Sequence, residues 1–234
     1  MPVRRLALAS AAGAVLAFVV QLLLHLALSE RSSPRGGRWT APGAAAAGPA
    51  RHQLVRLAGG TYLEAMIAGH DPKLQRWSGR GGEPVRVWIG PADSLPDWRP
   101  ELPGLAREAF GEWARSGVPL WFAFVADSAA AEVHVRWVDQ LPGVRDGFIV
   151  RSLDRRGRMY GAEITLSLRA TGGAPHSDRV VRALALHEVG HLLGLEHSPE
   201  SSDVMAASVS VDALSDRDRA TARLLYALPV GRVR

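Results

Sequence analysis

Residues 187–198 read HEVGHLLGLEHS, and this stretch decides the fold. It holds three of the chain's eight histidines. Residues four apart on a helix share one face, with Cβ atoms about 5–6 Å apart. His187 and His191 therefore present two imidazoles to one point, a separation that suits a single zinc ion with bonds of about 2.0–2.1 Å. Glu188 flanks the same face without being a ligand, within reach of a water on the metal. In a continuous helix His197 would lie a turn and a half past His191, too far along the axis to share the ion. Gly194 can take φ > 0 without a Cβ penalty. The chain can turn back there, which brings His197 in as third ligand and leaves the fourth position to water. Three neutral imidazoles leave the full charge on the ion, and that charge lowers the pKa of the water toward about 7. Glu188 would accept the proton as the water attacks a carbonyl, then return it to the leaving amine.

Working outward, the spacing predicts a helix from Ser177 or Asp178 to Leu193 and a last helix that begins near Ser215. A helix over 101–116 is predicted from Leu105, Ala106, Ala109, Phe110 and Trp113, with Gly117 as its stop. Alternation predicts strands over 83–89, 120–125, 132–138, 148–153 and 162–168. Thr61 and Glu64 have the spacing of a capping box for a short helix to Ala68. No element is predicted between Gly69 and Gly82. Mixed strands and helices followed by closing helices make an α+β plan, a twisted mixed sheet with the active-site helix and a C-terminal helix packed on it.

The first residues are MPVRR, and residues 6–28 then carry no formal charge. That run is long enough to cross a bilayer as an anchor, and Ala27, Leu28 and Ser29 offer a cleavage site for a signal peptide. Either use exports the chain, as a membrane-anchored protein or as a secreted one after cleavage. Residues 29–80 are read as a linker or short pro-like segment, rich in Gly, Pro, Ser and Ala as far as about His52, and 81–234 as the functional domain. The chain has no cysteine, which excludes disulfides, zinc–thiolate sites and thiol nucleophiles. The net charge of +5 comes from arginines scattered among acidic residues, and no nucleic-acid partner is expected. His134 lies on the opposite side of its strand from Val133 and Val135, and His176 is read as a loop histidine beside the helix start.

The motif with its third histidine, followed by Ser198 and by Met205 eight residues later, resembles the metzincin zinc peptidases and, within them, the matrixins. The likeness extends over about residues 81–229. It implies a metzincin-like zincin domain, one catalytic zinc held by His187, His191 and His197, Glu188 as general base, and Met205 as an apolar floor. It also implies that an edge strand binds the substrate backbone, here Phe148, Ile149, Val150 and Arg151. Many matrixins hold a second zinc through His and Asp on strands that carry no histidine here, so no second zinc is expected; structural calcium is left open. A cysteine latency switch is impossible in this chain. Ala206 stands where the family commonly has proline after the methionine, so the specificity pocket over 203–212 is expected to differ. The leading reading is a zinc endopeptidase of peptide or protein substrates. Two others remain: a zinc-bearing peptide-binding module without catalysis, and a metallohydrolase of non-peptide amides or esters.

Overall fold

The computed structural model describes residues 60–68, 73–228 and 231–232. The apolar run at 6–28, most of the linker, and His25, His52 and His70 lie outside them. Among the described residues, no helix is long and apolar enough to cross a membrane.

Alternation builds the sheet. In β2 (Val85–Ile89), Val85 and Val87 are buried and Arg86 between them is exposed. In β4 (Val133–Val138), Val133, Val135 and Trp137 point inward. With β3 (Phe122–Phe124), β5 (Gly147–Leu153) and β6 (Met159–Ser167), they form a five-stranded sheet in the order β3-β2-β4-β6-β5. The first four strands in that order are parallel neighbours; β5 is antiparallel to β6, with Ile149 opposite Ile164 and Arg151 opposite Ala162. β6 is buried on four successive residues, Ile164 to Ser167, as befits a strand covered on both faces. Among the described residues, β5 forms one edge, paired only with β6.

Helix α2 (Leu102–Ala114) packs on helix α3 (Asp178–Leu193), and α3 lies against β5 and β6. Ser177 caps α3, its side chain accepting from Val180 N–H. Helix α4 (Asp216–Ala227) opens on a reciprocal capping box between Ser215 and Asp218, which satisfies two otherwise orphaned N–H groups. Glu112 of α2 ties three elements together. It accepts from Arg182 of α3 at 2.5 Å, from Arg219 of α4 at 3.3 Å and from the Leu214 N–H at 3.2 Å. The mixed sheet with packed helices is the α+β metzincin-like plan read from the sequence.

The structure departs from the sequence reading in two places. β6 begins at Met159 rather than near Ala162, because residues 159–161 continue the ladder with β5, Leu153 opposite Met159 and Ser152 opposite Gly161; Met159 N–H also donates to the remote Arg76 carbonyl, 3.0 Å away. The packed core also begins before residue 81. The short helix expected to run to Ala68 is present as α1 (Leu63–Ala68), and strand β1 (Lys73–Leu74), paired with β7 (Gly231–Arg232), lies where no element is predicted. Tyr62, Leu63, Leu74 and Trp77 are all buried. The segment ending at residue 80 is thus part of the core in its last stretch, because its apolar side chains find partners too distant in sequence for a local pattern to reveal.

Candidate metal centre

The three-histidine motif starts in the last two turns of α3, a helix buried along most of its length from Val181 to Leu193, and continues past its end. Helix ends leave carbonyls without intrahelical partners. Here side chains from other elements supply donors: Trp77 Nε1–H to Leu192 O at 3.1 Å and Tyr226 O–H to Leu193 O at 3.1 Å. Trp113 Nε1–H adds a bond to Leu186 O, 2.8 Å away. Gly194 ends the helix at φ 98°, ψ 11°, in the left-handed region. A Cβ at this position would lie 1.8 Å from Gln75 O, so backbone conformation and space both demand glycine.

Past that turn, His197 comes back toward the helix. The ligand atoms of His187, His191 and His197 all lie within 4.8 Å of one another. The ring centroids are 4.7 Å apart for 187 and 191, 5.3 Å for 187 and 197, and 5.0 Å for 191 and 197. His187 Nδ1 lies 2.7 Å from Val204 O, and His191 Nδ1 lies 2.7 Å from Leu195 O. A carbonyl only accepts, so both rings carry the proton on Nδ1 and hold a lone pair on Nε2. Those two Nε2 atoms stand 3.1 Å apart. Facing lone pairs repel at that distance, and a shared cation turns the repulsion into ligation. The donor set therefore fits a zinc ion. Burial, chiefly, holds both imidazoles below their ordinary pKa, His191 at about 3. Both are therefore neutral at neutral pH, which is the ligating form.

Glu188 is 4% exposed, and its Oε2 has no hydrogen-bond partner among the described residues. Burial pushes this carboxyl up to about 8, against the opposing pull of Arg145. A Cβ on Gly147, the first residue of β5, would sit 2.8 Å from Glu188 Oε1. Any side chain there would strike the carboxylate. Met205 is fully buried, and a Cβ on Gly190 would fall 2.2 Å from its Sδ. The methionine thus fills the space left by a glycine between His187 and His191.

Phe148, Ile149, Val150 and Arg151 all lie on β5, the strand that starts against Glu188. Val150 is exposed, and the Arg151 side chain turns to Glu196, 2.8 Å away. His134 stands apart from the cluster, with Nε2 2.9 Å from Ser128 O. His176 is also apart; it is buried, 3.5 Å from Asp146 and 3.4 Å from Ser167. Among the described residues, His187, His191 and His197 form the one cluster of three His, Asp or Glu side chains placed so that it could hold a metal ion.

Two buried aspartates support the centre and were not singled out from the sequence. Asp218 accepts from Tyr62 O–H at 3.1 Å, and from the N–H groups of Val204 and Ser215, each at 2.9 Å. It thereby fixes Val204, whose carbonyl orients His187. Burial beside Asp218 raises the Tyr62 phenol, which stays a donor. Asp203 accepts from Ser198 Oγ–H and from Ser215 Oγ–H, and so fixes the residue after His197. The Ser215 to Asp218 spacing is a local signal of a cap. Nothing local signals the contacts of either carboxylate across the fold.

A family model described as Matrixin matches residues 98–227. No curated protein matches the chain.

Proposed function

Because this chain belongs to the matrixin family and is a zinc metallopeptidase by that membership, we propose that it is an endopeptidase in which His187, His191 and His197 hold the ion and Glu188 is the general base. The observation that carries the reading is the pair of Nε2 lone pairs 3.1 Å apart, with both Nδ1 protons committed to carbonyls and, alongside, a buried Glu188 oxygen that has no partner among the described residues. Zinc supplies a Lewis acid and an acidified water when bound. Glu188 Oε2 then takes a proton and returns it to the leaving amine. A divalent charge at the histidines would favour the carboxylate form of Glu188 against its burial, which is the form a base needs. Met205, packed under Gly190, keeps the two helical ligands from settling inward. β5, unpaired on its outer side among the described residues, offers that edge to an extended peptide, and its backbone recognises the main chain with little regard to sequence. Matrixins are generally secreted or extracellular, and the uncharged run at 6–28 fits export, by anchor or by cleaved signal peptide.

The test uses a mixed peptide library with the products sequenced. Internal cleavage that a chelator abolishes and zinc restores is the expected result. Glu188→Gln should lower kcat by about 100-fold or more, the loss typical of a missing general base. An undiminished rate in that variant would remove Glu188 from the reaction. Tight peptide binding without turnover would mark a zinc-bearing binding module, and turnover of amides or esters with none of peptides would mark a different hydrolase.

A further inference from the structure

The three ligands are not held alike. His187 and His191 each have a backbone carbonyl on Nδ1 and sit on a buried helix. His197 is exposed, and its ring makes no hydrogen bond to another described residue. Its position therefore depends on how the backbone is fixed on either side. Downstream, Ser198 N–H donates to Met205 O at 2.7 Å, and its hydroxyl is bound to Asp203. Immediately upstream stands Glu196, whose carboxylate meets Arg151 Nη2 at 2.8 Å.

An exposed ion pair contributes little when both partners are free to move. This pair differs on the arginine side. The Arg151 side chain is only 20% exposed, and its Nη1 is shielded from solvent with no hydrogen-bond partner among the described residues. A guanidinium in such a place depends on the one carboxylate that meets it, because losing that partner leaves a buried charge uncompensated. Arg151 also sits on a rigid element. It is opposite the buried Ala162, two residues from Ile149, which faces the buried Ile164. That places it on the sheet face turned toward α3. β5 runs from Gly147, against Glu188, to Arg151, against the ligand loop.

We infer that the Arg151–Glu196 ion pair is a clasp through which the edge strand positions His197, so that Arg151 serves the metal rather than a substrate side chain. It rests on the zinc peptidase reading, and it adds a coupling that the reading does not contain. A peptide that pairs with β5 presses on the strand that holds the third ligand. Peptide affinity and zinc affinity are then linked, and each raises the other by the same factor.

The experiment measures zinc affinity of the full chain by competition with a chromophoric chelator, without substrate. Glu196→Gln and Arg151→Ala should each weaken zinc binding by about 10- to 100-fold, the range found when a group supporting a ligand is removed. The double variant should be no weaker than the worse single one. The reversed pair, Arg151→Glu with Glu196→Arg, should recover most of the loss. Glu196→Gln changes an exposed side chain, so it reads the clasp even if Arg151→Ala does not fold. Its metal-free thermal midpoint gives the stability lost when Arg151 is left without its carboxylate, and zinc affinity measured well below that midpoint reads positioning apart from general stability. Wild-type zinc affinity in Glu196→Gln, or single-variant losses that multiply in the double variant, would overturn the clasp. A wild-type chain that binds zinc yet cleaves no peptide would overturn the peptidase reading and leave the clasp standing.

Discussion

Glu188 and His191 lie on one helix end, and burial moves them in opposite directions. In the metal-free chain the folded Glu188 keeps its proton up to about 8, whereas the usual value is 4.5. Between those values the folded state binds more protons than the unfolded one, so this group lowers stability as pH rises. His191 is held at about 3 against a usual 6.5; the unfolded state binds more protons in that window, and stability falls as pH falls. The two oppose each other between about 4.5 and 6.5. Above 6.5 Glu188 acts alone. Metal-free stability should therefore decline from pH 6.5 to 8 by up to about 1.4 kcal/mol per unit, and Glu188→Gln should flatten the decline. Denaturant titrations at the two pH values decide it; an equal slope in the glutamine variant would assign the effect elsewhere. The candidate ligands and base were legible at this scale because their spacing is local, four residues along a helix and then a glycine. Asp203 and Asp218 were not, since an aspartate in a polar stretch looks like any solvated acid until its partners converge on it.

The element that matters most is α3, and its two ends were legible for different reasons. Ser177 announces the start as a cap; Gly194 announces the stop. The structure adds that Gly194 is also a contact point, with Gln75 O where a Cβ would be. Gly194→Ala combines a left-handed alanine, costing about 1–2 kcal/mol, with a clash that the backbone must move to relieve. It should destabilise the fold by more than about 2 kcal/mol and weaken zinc binding, both visible in denaturation midpoints taken with and without zinc. A variant with wild-type midpoints would show that the turn tolerates a side chain. Strand β6 shows the reverse case. Its first residues alternate poorly, and they are strand because they face the end of β5, Leu153 opposite Met159 and Ser152 opposite Gly161, while Met159 N–H also reaches the remote Arg76 carbonyl.

For the whole molecule, the metal helix is gripped from both sides of the sequence. Trp77 precedes the sheet and Tyr226 ends the last helix, yet both donate to carbonyls at the end of α3. A chain begun at residue 81 would lose Tyr62, Leu63, Leu74 and Trp77 from the core. Burial of such side chains contributes roughly 1.5–3 kcal/mol each, a sum comparable to the stability of a typical domain. That chain should fail to unfold cooperatively and should resist proteolysis far less than one begun at residue 60; equal thermal midpoints for the two would show the segment to be dispensable. The sequence by itself determined the periodic elements, the helix stop and the three-histidine spacing, because each is set by residues within a turn or two of one another. The depth of the core before residue 81, the carbonyl supports of α3, the aspartates behind His187 and His197, and the pairing of Arg151 with Glu196 were decided only in three dimensions. Those contacts run from five positions apart, Ser198 to Asp203, to 156 apart, Tyr62 to Asp218, and local spacing carries no trace of which group will satisfy a buried donor, acceptor or charge.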